Sequence, residues 1–110
     1  MEEKKQLTEV SNFISNWFAT DGSHSIIPSG EFKTLEEFRL YLTGKISDLL
    51  DTKYNTLINI LYRIDVDEEK LNELFSGKNR EHIPGALANI IIERSLQKII
   101  YRQMYKEGKL

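Results

Sequence analysis

Apolar residues in the first part of the chain fall at Leu7, Val10, Phe13, Ile14, Trp17 and Phe18. This is the three-and-four spacing of one helical face, and it predicts a helix over residues 7–18. Asp21-Gly22 supplies the stop, since glycine accepts the left-handed conformation that follows many helices. Residues 1–6 precede the pattern and are expected to be disordered. Residues 21–33 are rich in Ser and Gly, carry Pro28 and read as a loop. Within it, Ile26 and Ile27 either plug the bundle or stand exposed as a contact. Thr34-Leu35-Glu36-Glu37 then has the arrangement of a capping box, so a second helix starts there with Leu35, Phe38, Leu42, Ile46 and Leu49 on its face. Gly44 is its weak point, costing about 1 kcal/mol relative to alanine and offering a place to bend.

After a break near Asp51-Thr52, a third helix carries Tyr54, Leu57, Ile58, Leu61 and Ile64 in register. Ile60 and Tyr62 lie off that face, so this helix is expected to be central. Asp65-Val66-Asp67-Glu68-Glu69 reads as a corner, with Asp67 as cap, two acids where the helix dipole favours them, and Val66 placed to staple onto Leu71. A short fourth helix with Leu71, Leu74 and Phe75 ends at Ser76-Gly77. The last helix runs from about Pro84, a residue that fits a first helical turn, to Lys106. Leu87, Ile90, Ile91 and Ile92 make its first half apolar nearly all round, which predicts the core helix. In its second half Leu96, Ile99 and Ile100 form one face, and Arg94, Lys98, Arg102 and Lys106 recur on roughly the opposite, surface side.

These patterns predict an all-α fold: a compact antiparallel bundle of four to five short helices in one domain spanning residues 1–110. The 110 residues contain no cysteine, which excludes a disulfide framework, a thiolate zinc site and a cysteine nucleophile, and suits a reducing, cytoplasmic setting. The start, Met1-Glu2-Glu3-Lys4-Lys5, lacks the features of a secretory signal, and no stretch is long and apolar enough to predict a membrane span. Net charge is −2, unevenly spread: residues 1–75 sum to −6 and residues 76–110 to +4. Such a split can steer a partner, or it can arise when acidic and basic parts of one bundle face each other.

One feature has the composition of a binding surface. Arg94, Lys98, Arg102 and Lys106, with Tyr101 and Tyr105 beside them, could pair with phosphates while the tyrosines stack. The same cations also suit the last turns of a helix, where the dipole favours them. Phe13, Trp17 and Phe18 concentrate aromatic area on the first helix; with Ile26 and Ile27 they could form a partner-docking face, or simply core.

The remaining chemistry reads as structure. Asp65-Val66-Asp67 begins like a calcium loop, but Lys70 stands where glycine is needed and Ser76 where a bidentate glutamate belongs. Asp21, Ser23 and His24 have the residue types of a nucleophilic site without the strained turn and oxyanion donors such a site needs. Glu93-Arg94 interrupts the most apolar helix and points to an ion pair with Arg63 or with an acid near Asp65 to Asp67. No glycine-rich phosphate loop occurs. No catalytic, cofactor-binding or metal-ligating residue is therefore expected, and enzyme chemistry finds no support.

The stretch Leu57-Ile58-Asn59-Ile60-Leu61-Tyr62-Arg63-Ile64-Asp65-Val66-Asp67-Glu68-Glu69-Lys70-Leu71, followed by Leu87-Ala88-Asn89-Ile90-Ile91-Ile92-Glu93-Arg94-Ser95-Leu96-Gln97-Lys98, resembles a group of small uncharacterised bacterial proteins. The likeness covers about half the chain. It implies a cytoplasmic helical protein without an assigned role, in which the corner Tyr62-Arg63-Ile64-Asp65 packs on the stretch Ile91 to Arg94. The function expected from all of this is a protein–protein interaction or adaptor module that can associate with itself. The alternative is a nucleic-acid binder using the basic face of the last helix.

Overall fold

Two helices begin where the sequence supplies side-chain caps. Thr34 Oγ1 accepts the amide proton of Glu37 at 3.0 Å, and α2 follows over Leu35–Thr52. Asp67 accepts the amide proton of Glu69 at 2.9 Å and opens α4, Glu68–Ser76, so the acidic run at the corner is a helix start. The computed structural model describes residues 2–20, 24–25, 32–77, 80–106 and 108. Its other elements are α1 (Glu2–Trp17), β1 (Ala19–Thr20), β2 (His24–Ser25), α3 (Tyr54–Ile64), a 3-10 turn (Arg80–His82) and α5 (Ile83–Lys106). The two strands are a single short antiparallel pairing, Ala19 opposite Ser25 and Thr20 opposite His24. The expected all-α bundle is what the chain forms.

Two boundaries differ from expectation. α1 starts at Glu2, ahead of the apolar pattern and within the stretch expected to be disordered; polar Glu, Lys and Gln residues are themselves good helix formers and extend a helix without marking a face. α2 runs unbroken through Gly44, because one exposed glycine costs less than interrupting a helix whose Leu42 and Ile46 are both fully buried.

The core joins Val10, Ile14 and Phe18 to Phe38, Leu42 and Ile46 of α2, Leu57, Leu61 and Ile64 of α3, and Leu87 and Ile91 of α5. Burial of this kind is the main favourable term holding the bundle together. The central position belongs to α5, which packs against α1, α2, α3 and α4. α3 does not take that place: Ile60 is buried, but Tyr62 is 66% exposed, so the helix is apolar beyond what its own packing covers. α4 has no fully buried residue; Leu71, Leu74 and Phe75 rest half-buried against the core. Among the described residues preceding α2, the side chain that plugs the bundle is Phe32, whose ring meets those of Phe38 at 5.0 Å and Tyr41 at 5.3 Å. Ile26 and Ile27 lie outside the described residues.

Candidate functional site

The first candidate, the basic stripe, is partly engaged within the molecule, with Arg102 and Lys106 still exposed. Ser95 is fully buried, and Arg102 follows it by two turns, a drift of only about 20° around an ideal helix. The stripe thus continues the buried side of α5 past the point where the core ends, and α1 lies along it. Lys98 Nζ sits 5.5 Å from the centroid of the Trp17 ring, and the Arg102 guanidinium carbon 5.6 Å from that of Phe13. Gln103 donates to Glu9 Oε2 at 3.2 Å. These pairs run in opposite senses along the two helices, which fixes α1 and α5 as antiparallel. Phe13 and Trp17 themselves meet at 5.9 Å with their rings tilted.

The aromatic docking face and the basic stripe are therefore two halves of one intramolecular contact. Phe18, at 1% exposed, belongs to the core and is no part of an open face: its position completes the inward row of Leu7, Val10 and Ile14. Contacts of this kind contribute about 0.5–1 kcal/mol each where water reaches them.

Arg94, the first cation of the stripe, is committed elsewhere. Its Nε donates to the carbonyl of Asp65 at 3.2 Å, one terminal nitrogen to Asp65 Oδ2 at 3.3 Å, and the other to Gln97 Oε1 at 3.2 Å. Asp65 is the left-handed residue that ends α3, with φ 65° and ψ 51°. Its amide donates to Tyr62 O and that of Val66 to Leu61 O, the paired bonds of a Schellman turn. Glycine usually fills this position; here an aspartate does, and the guanidinium holds both its carbonyl and its carboxylate. The corner is tied to α5 through Arg94, by the ion pair with an acid near Asp65 to Asp67 that the sequence pointed to.

Apolar side chains stand uncovered elsewhere: Leu40 on α2 is 58% exposed, and two larger areas lie at other places. On the last turns of α5, Ile100 is 50% exposed, Tyr101 59% and Tyr105 78%, with Lys106 exposed beside them. Between α3 and α4 runs a groove of about 340 Å³ lined by Tyr54, Ile58, Tyr62, Leu71 and Phe75. A second depression of about 650 Å³, lined by Leu50, Ile83 and Pro84, shares Tyr54 and Phe75 with it. The two adjoin where those rings meet edge to face at 6.2 Å. The charged residues lining them are Glu68, Asp51 and Glu81, all acids.

Pattern reading marked Tyr62 as off-face but did not find this groove. The signal was available in α4, whose three apolar residues are too few to cover α3 and dock on α5 at once.

Among the described residues no group of three or more His, Asp or Glu side chains converges as a metal site would, and no helix is long and apolar enough to cross a membrane. Comparison with known proteins finds no matching family model, no similar curated protein and no similar solved structure.

Proposed function

We propose that this chain is a small helical protein–protein interaction module of the cytoplasm, with its contact made by the α3–α4 groove and the end of α5 rather than by catalysis. The observation that carries this reading is the uncovered aromatic area: Tyr62, Tyr101 and Tyr105 are each more than half exposed while the core beneath them is complete. Tyrosine supplies large contact area at low entropic cost and is enriched in interfaces. The absence of cysteine suits a reducing compartment. The nucleic-acid reading draws less support, because Arg94 is bonded to Asp65 and Lys98 and Arg102 lie against the rings of α1.

The test is amine-reactive cross-linking in lysate followed by peptide mapping. Links from Lys70, Lys98 or Lys106 to a second polypeptide, whether another copy or a different protein, are expected. Links confined within one chain, unchanged in a Tyr62→Lys/Tyr101→Glu variant, would remove the reading.

A further inference from the structure

We infer that α4 is a hinged flap, opening and closing over the α3 side of the groove while α1, α2, α3 and α5 stay folded; its use as a gate rests on the interaction reading above, its motion does not. Alone among the described α-helices, it contributes no fully buried side chain. Six of its nine residues are exposed, and half-buried Leu71, Leu74 and Phe75 are what docks it. Nine residues are too few to keep a helix folded alone in water, so the hold of those three side chains sets the fraction of time α4 spends in place.

The polar contacts of α4 are its own. Asp67 accepts from the amide of Glu69, and Ser76 Oγ donates to the carbonyl of Glu73. Among the described residues no side-chain hydrogen bond or ion pair joins α4 to another helix, and its ring contact outside itself is that of Phe75 with Tyr54. The flanks, by contrast, are fixed. On one side Val66 is buried and Arg94 holds both the carbonyl and the carboxylate of Asp65; on the other, Ile83 is buried at the start of α5. Between Val66 and Ile83 no side chain among the described residues is fully buried, so α4 can lift without withdrawing a core residue of its own. A unit tied this lightly opens at a fraction of the free energy of global unfolding. Ile58 and Leu61 of α3 share the groove with Leu71 and Phe75 of α4, and opening widens it on their side. A partner seated on that face competes with α4, and its apparent affinity is scaled down by the fraction of molecules that are open.

The experiment is native-state hydrogen exchange, read by NMR on the full chain at urea concentrations below the unfolding transition, with two variants in α2. Gly44→Ala strengthens the fold at an exposed site, and Ile46→Val weakens it at a fully buried one by a single methylene. Neither position lines the groove or lies in α4. Amides that exchange only when the whole chain unfolds should slow about two- to fivefold in the first variant and quicken about two- to tenfold in the second.

The slowest amides of α2 and α5 are expected to follow both variants in this way. Those of Leu71 to Phe75 should be protected at least about tenfold less, share one opening constant with a shallow urea dependence, and keep their rates in both variants. If they instead share the urea dependence and the shifts of α2 and α5, α4 opens only when everything does, and the inference is overturned. Protection that declines residue by residue from one end of α4 would overturn it as well, by showing fraying in place of a hinged unit. These readouts need no partner, so this test and the cross-linking test fail independently.

Discussion

Lys98 Nζ lies 5.5 Å from the centre of the Trp17 ring, joining α5 to α1 by a cation–π contact at the edge of the core. Trp17 is the sole tryptophan, so its fluorescence reports this contact directly. Lys98→Met should shift the emission and cost about 0.5–1 kcal/mol. A double-mutant cycle with Trp17→Leu should return a coupling of the same size; additivity within about 0.3 kcal/mol would show that ring and ammonium act independently.

Asp65 occupies a left-handed position that β-branched residues avoid. Asp65→Val should therefore cost about 2–3 kcal/mol, combining backbone strain with loss of the bond to Arg94. Asp65→Asn, which tolerates the same backbone, should cost clearly less. Equal losses in chemical denaturation would mean that the conformation of Asp65 is not what the turn requires.

Gly44 lies exposed within α2, and a methyl group added there would meet nothing within 4 Å. Gly44→Ala should raise stability by about 0.5–1 kcal/mol, seen as a melting temperature higher by roughly 2–6 °C. No gain would indicate a packing role for that glycine.

Ser15 Oγ is buried with no hydrogen-bond partner, whereas the Oγ of Ser95, also buried, donates to the carbonyl of Ile91 at 2.7 Å. An unpaired buried hydroxyl carries a desolvation cost with no return. Ser15→Ala should stabilise the chain by about 1 kcal/mol, while Ser95→Ala should be neutral or mildly destabilising. The same sign for both in urea melts would contradict this account.

Glu36 accepts two hydrogen bonds from Arg39, and chiefly through them its carboxyl titrates below its ordinary range. A carboxylate whose folded value is depressed adds stability above its unfolded value and loses that stability as the pH falls through the folded one. The stability gap between the native chain and Arg39→Gln should be present at neutral pH and close in acid. Carbon-detected NMR titration should find the Glu36 midpoint rising to the ordinary range in the variant; an unmoved midpoint would discount the pair.

Much of this architecture was legible in the residues because caps and periodicity are local. Thr34, Asp67 and the apolar rows of α2 and α5 announce their helices without reference to anything distant. The partner of Arg94, an acid near Asp65 to Asp67, was legible; those of Lys98 and Arg102 were not. A stripe of cations at every fourth position fixes a side of a helix, but only the packing of α1 turns that side toward Phe13 and Trp17. The expectation that the first half of α5 is the core helix is met, whereas the expectation that α3 is central failed for a related reason: Tyr62 adds apolar character to α3, and composition does not distinguish a side chain awaiting the core from one standing outside it. The acidic groove arises from where α4 lies against α3, which no pattern within either helix records.

Among the described residues α5 touches every other α-helix, and it follows them all in sequence. A chain cut before Ile83 would hold four helices whose inward faces, Leu42 and Leu57 among them, have lost their common wall. Such a fragment is a collapsed, sticky intermediate rather than a smaller protein. The fold is accordingly a keystone assembly: its earlier segments stay provisional until the final one is fitted, and any event that loosens α5 loosens all of them together.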